Sequence, residues 1–344
     1  MEQQYDPAAL EAAYRTLASG EPRMRAIRAA ASSAEQNGDT ENALHFHHTL
    51  IRESVFSGDR FQALIDFPQY LTLVHSDPAL EREWAHTSLW LFKWIVEAST
   101  EFYQIEKKQV LAWFSEFRRE LSKQGYSLKP FYEKRAIFFY YCDRARLYMD
   151  YADFLDAPMD EMCDGEADEL NTAVRWELEF GSREKGLRTA EKIISKNMQS
   201  DEIPATTYGY LLRDAVRHGE TERAAEYAQK LRGFCSGARF RLEQTGLLLE
   251  YDAKTDPARG YRFYLSNQNL RENLRNPLLC FRFDCGAAVL LRAAADAGVT
   301  DDPDALREAA AQYRLQAQSA AEKFDARNGS DFFASALRGA LEGV

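Results

Sequence analysis

The most conspicuous chemistry-bearing residues are three crowded histidines, in the run His45-Phe46-His47-His48. Neutral imidazoles bind Zn²⁺ or Ni²⁺ readily. On a helix, however, residues 45 and 47 point about 200° apart, so they cannot serve one ion. His45 and His48 share a face, with Glu41 one turn back. We read all three as ordinary helix residues and assign no metal. Cys280 and Cys285 stand five apart, an awkward helical spacing for a shared metal or a disulfide, and read as small core residues. The stretch Gly181-Ser182-Arg183-Glu184-Lys185-Gly186 has the outline of a phosphate loop. Its lysine precedes the second glycine and no strand leads into it, so a turn between helices is the better reading. A dinucleotide fingerprint, an HExxH and a GxSxG are all missing from the sequence. The expectation is therefore a protein without catalytic chemistry and without a cofactor.

The elements that would carry any binding residues are helices. Between Thr206 and Arg232, apolar Tyr208, Leu211, Leu212, Ala215 and Val216 recur at helical spacing. The run stops at His218-Gly219, and a second amphipathic run follows through Ala224, Ala225, Ala228 and Leu231. Gly219 is free to take the left-handed conformation that ends a helix. Two helices joined by so short a turn make a helical hairpin. Aligned on the turn, the pattern recurs. Gly38 precedes Ala43-Leu44, Gly58 precedes Ala63-Leu64, Gly181 precedes Gly186-Leu187 and Gly219 precedes Ala224-Ala225, each by five residues. Thr255 stands in the same relation to Gly260-Tyr261. The step from Gly181 to Gly219 is 38 residues and from Gly219 to Thr255 is 36. Periods of this length signify stacked helical hairpins.

With this spacing the chain resembles the tetratricopeptide repeat family, whose motif sets a turn glycine five residues before a small residue. The family's aromatic four residues further on is met by Phe67 and Tyr264, but not at Ala228 or Ala190. Its closing proline is missing at Ser236 and Glu272. The resemblance is to a degenerate member, clearest over 170–268 and present over 24–75. It implies an all-α fold, a right-handed superhelical solenoid of antiparallel hairpins whose first helices line a concave face. It also implies that Asn171, Arg175, Tyr210, Arg213 and Arg217 point into that groove, with Arg175 and Arg213 in equivalent places. Stacked guanidiniums suit a carboxylate through bidentate, charge-assisted bonds. The expected partner is accordingly a protein or peptide segment, bound by an acidic or free-carboxylate end.

Elsewhere the pattern is less regular. Asp6-Pro7 and Glu21-Pro22 open two short helices, helices follow from Thr40 and Asp59, and Pro68 should kink the second of these. Asp77-Pro78 opens the most aromatic helix, with Trp84, Leu91, Trp94 and Ile95 on one face. That face reads as core between neighbours, with an aromatic ligand pocket as the alternative. A long helix over 130–155 carries Phe138, Phe139, Tyr140, Tyr141, Tyr151 and Phe154. The acidic stretch 156–169 reads as a connector between a helical region over 1–155 and repeats over 170–344. Hairpins are expected at 167–196, 203–232 and 239–268, then helices from Pro277, from Pro303 and from Ser330, the last closing the stack.

Composition bounds the partners. The net charge is −11 and the pI about 5.2, which argues against nucleic acid. No apolar run is long enough for a membrane span, and no signal-like segment opens the chain. Five scattered cysteines suit a reducing, cytoplasmic setting. Two other readings stand beside the peptide-binding scaffold. One is a helical metal-dependent or small-molecule-binding enzyme built on the aromatic middle region, and the other is a homo-oligomeric structural scaffold.

Overall fold

A computed structural model describes residues 5–237, 241–272 and 274–342. The described residues form seventeen α-helices and no strand. The start of the third expected hairpin, at 239, lies outside them. Helix starts follow the N-cap chemistry written in the sequence. Asp6, Asp77, Asn276 and Asp302 each accept a hydrogen bond from the first turn that follows, and each is followed by proline. Helix ends follow glycine: Gly38, Gly58, Gly125, Gly219 and Gly329 all take positive φ.

The chain divides into two compact units, 1–138 and 139–344. The division falls ahead of the acidic stretch. The first unit holds α1 (Pro7–Arg15), α2 (Glu21–Gln36), α3 (Thr40–Ser57), α4 (Arg60–Val74), α5 (Pro78–Thr100), α6 (Lys107–Gln124) and most of α7 (Lys129–Tyr140). From α1 to α6 each helix packs on the next. α4 continues through Pro68. On the marked face of α5, Leu91 and Ile95 are buried and Trp84 and Trp94 half-buried, and on another face the buried Phe92 packs on Phe67 and Phe117. A cavity beside it, lined by Leu71, Leu89 and Phe92, holds about 40 Å³, far less than a ligand pocket needs. The histidines turn to different neighbours. His47 Nε2 lies 2.8 Å from Glu35, His45 lies 3.4 Å from Glu11, and burial lowers the pKa of His48 to about 4.

The second unit begins where the expected helix over 130–155 is broken. α7 stops at Tyr140, and Asp143 caps a new helix, α8 (Arg144–Asp156), by accepting from the Arg146 amide. The apolar run Phe138–Tyr141 hides this boundary, because a buried helix and a buried turn have the same composition there. Then come α9 (Glu166–Glu179), α10 (Arg183–Ser195), α11 (Ala205–Arg217), α12 (Thr221–Cys235), α13 (Leu242–Thr255), α14 (Pro257–Glu272), α15 (Pro277–Asp296), α16 (Pro303–Asn328) and α17 (Phe332–Glu342). α9 packs on α10, α11 on α12, α13 on α14 and α15 on α16. The odd-numbered helices also pack in series, α9 on α11, α11 on α13 and α13 on α15. Glycine makes the last of these contacts close. A Cβ on Gly246 would collide with the Arg282 carbonyl, and one on Gly286 with the Gly246 carbonyl. The two backbones therefore touch, as only glycine allows.

Candidate functional site

Inside the second unit lies a cavity of about 580 Å³, within the range that small ligands and peptide ends occupy. Each wall is a stripe of one helix. α11 gives Arg213 and Arg217, one turn apart, and α13 gives Glu243, Leu247 and Glu250 at positions i, i+4 and i+7. α15 gives Arg282 and Cys285, and α9 gives Glu179. The turn 140–144 and the start of α17 close the remaining side. These two are tied together: Ser330 Oγ donates to the Tyr141 carbonyl at 2.8 Å, and Phe332 packs edge-on against both Tyr140 and Tyr141. The close crossing at Gly246 and Gly286 sets Glu243 and Glu250 beside Arg282, because a wider helix separation would part them.

The electrostatics are uneven. At the mouth, Arg217 bonds Glu179 through both terminal nitrogens, at 2.9 and 3.3 Å, and Tyr140 donates to the same carboxylate at 3.2 Å. Around Glu243 the pairing is looser. Arg213 Nη2 and Arg282 Nε each stand 3.7 Å from the same oxygen of Glu243, beyond hydrogen-bond length. Burial opposes charge on Glu243, but the guanidiniums of Arg282, Arg213 and Arg175 outweigh it and hold its pKa below the ordinary range. Glu250 behaves in the opposite sense. Burial raises its pKa against the pull of Arg213, Arg282 and Lys254.

Arg175 and Tyr210 stand behind the lining. The Arg175 guanidinium lies over the rings of Trp176, Tyr140 and Tyr210, at 4.3, 5.2 and 6.0 Å from their centroids. Such contacts hold the cation in place through the ring quadrupoles. Burial raises the Tyr210 pKa to about 12. Among the described residues, no carboxylate lies within 4.0 Å of Arg175.

Of the five residues marked by the sequence, the fold places Arg213 and Arg217 in the cavity wall and Arg175 and Tyr210 against it. Asn171 is placed elsewhere. It is buried, and its amide exchanges hydrogen bonds with Thr206 at 3.0 Å and Thr207 at 2.7 Å, locking α9 to α11. One amide donor and one acceptor position are engaged in this way. The sequence reading missed Glu179, Glu243, Glu250, Arg282 and the turn 140–144. Two signals carry part of this set. Glu179 precedes Arg217 by the same 38 residues that separate Arg175 from Arg213. Glu243, Leu247 and Glu250 recur at i, i+4 and i+7 and so form one stripe along α13.

The described residues contain no group of three or more His, Cys, Asp or Glu side chains arranged to hold a metal. No described helix is long and apolar enough to cross a membrane. The chain matches no protein-family model, and no curated protein matches it.

Proposed function

We propose that the second unit is a tetratricopeptide-like, right-handed stack of helical hairpins that binds a peptide or protein segment without catalysing a reaction. The first helices of its hairpins (α9, α11, α13 and α15) form the binding face, and the ligand enters by a free carboxylate. The observation that carries this reading is the arrangement of Arg213 and Arg282. Both guanidiniums crowd one carboxylate at 3.7 Å without hydrogen-bonding it, and Arg175 backs them from a cage of rings. A guanidinium offers five donors in a planar fork. Donors left open in a cavity wall favour an anionic group with matching acceptors. The setting suits a carboxylate end better than an acidic surface, because the chain's net charge of −11 repels anions everywhere but at a local basic focus.

The test is capture from a random hexapeptide library by the wild-type chain and by the Arg213→Ala variant, with equal thermal midpoints as the control for folding. Free-acid peptides should be retained by the wild type, and their C-terminally amidated forms should not. Arg213→Ala should weaken retention by about 2–5 kcal/mol if the guanidinium is desolvated in the complex. Equal retention of acids and amides, or equal affinity in both proteins, rejects the reading.

A further inference from the structure

Among the described residues, Glu250 is the cavity-lining carboxylate that has no hydrogen-bond or ion-pair partner. Glu179 is bonded by Arg217 and Tyr140, Glu243 faces Arg213 and Arg282, Asp143 caps α8 and Asp331 accepts from Ser335. Glu250 has no hydrogen bond or ion pair among the described residues. It is nevertheless half-buried, lines the cavity two turns along α13 from Glu243, and lies near enough to Arg213 and Arg282 to feel their charge. A desolvated carboxylate is costly unless donors reach it. We propose that Glu250 reads the ligand: it accepts a hydrogen bond from the N–H next to the carboxylate that Arg213 and Arg282 bind. The ligand's recognised unit is therefore an N-acylated α-amino acid, the last residue of a peptide chain. This rests on the carboxylate reading above.

Beside Glu250 the neighbouring guanidiniums of Arg213 and Arg282 favour an uncharged amide N–H over the ammonium of a free amino acid, which would bring a further cation against them. A plain organic acid would satisfy the guanidiniums but leave Glu250 without a donor, and burial of an unpaired acceptor counts against it.

The experiment is calorimetric titration of the full chain with the tightest hexapeptide recovered from a random free-acid pool. That peptide is resynthesised with its last amide replaced by an ester, and separately with an amidated C-terminus. An equimolar mixture of free amino acids is titrated alongside. We expect the ester to bind roughly tenfold or more weakly than the parent, the worth of a hydrogen bond to a charged group. Glu250→Leu should lose the same factor for the parent and nothing further for the ester, since the two changes remove one interaction. Glu250→Gln, which keeps an acceptor oxygen of the same reach, should retain most of the parent's affinity. If the ester binds as tightly as the parent, if Glu250→Leu leaves the parent unchanged, or if free amino acids bind more tightly than the peptide, the Glu250 assignment is overturned. In those cases a failure of the amidated form to bind keeps the carboxylate reading intact. If the amidated form binds as well as the acid, the carboxylate reading falls and the Glu250 assignment with it.

Discussion

Single residues in the cavity divide by whether their charge is met inside the protein. Arg217 and Glu179 meet each other, so their loss should act mainly on the mouth. Arg213, Arg282 and Glu243 form a looser group, and its titration has a definite sign. The guanidiniums hold the Glu243 pKa below the ordinary carboxylate value despite burial. The unfolded chain, at about 4.3, then binds a proton before the folded one does. Stability supplied by Glu243 is present above that unfolded value and lost as pH falls through the lower folded pKa. Urea unfolding of wild type and Glu243→Gln between neutral and acid pH should show this. The variant should be less stable near neutrality and should lose less on acidification. An identical pH dependence for the two proteins would mean that the three arginines do not act on Glu243. Glu250 runs the other way, since its raised pKa makes the folded state the better proton binder. It disfavours folding as pH rises through the interval between the unfolded value and its own.

Helices carry these residues, and here local signals and long-range packing contribute differently. Caps and turn glycines were legible because they are local: Asp6-Pro7, Asp77-Pro78 and Asp302-Pro303 start helices, and Gly219 ends one at φ +68°. Arg213 and Arg217 were legible as a pair because they stand one turn apart on α11 and so share a face. Arg282 and Glu243 were not, because their meeting depends on α13 touching α15 at Gly246 and Gly286, and no periodicity announces a contact between those two glycines. The break at Cys142-Asp143 was hidden by the aromatic run that Phe332 packs against. Asn171 was marked for the groove by its polar side chain, and in the fold that side chain is buried and bonded to Thr206 and Thr207. Three substitutions test the elements. Gly219→Val should cost about 1–2 kcal/mol, since a left-handed backbone is strained with a β-branched side chain. Ala224→Leu, at a buried site, should cost about 1–3 kcal/mol by overpacking. Gly286→Ala should cost at least as much, because the atom it meets is backbone and cannot swing aside. Thermal unfolding measures all three, and unchanged midpoints would dissolve the packing described for α11 to α15.

At the scale of the molecule, the question is how a chain of net charge −11 would attract the anionic ligand proposed for it. The field of the whole protein opposes the encounter, and the arginine cluster acts only at short range. Raising salt should screen the long-range repulsion, with a Debye length of about 10 Å at 0.1 M, and leave the desolvated cavity contacts largely intact. Association rates should therefore rise with salt, the reverse of ordinary electrostatic steering, and stopped-flow measurement would detect it. A rate that falls with salt would locate binding at an exposed basic patch instead. The central claim is that the cavity between α11, α13 and α15 receives a peptide carboxylate. The most direct measurement is a crystal structure of the full chain with the tightest free-acid hexapeptide. It should place the terminal carboxylate within hydrogen-bonding distance of Arg213 and Arg282, with the last amide N–H toward Glu250. A peptide bound away from these arginines, or lying in the cavity with its carboxylate turned out to solvent, would contradict the account.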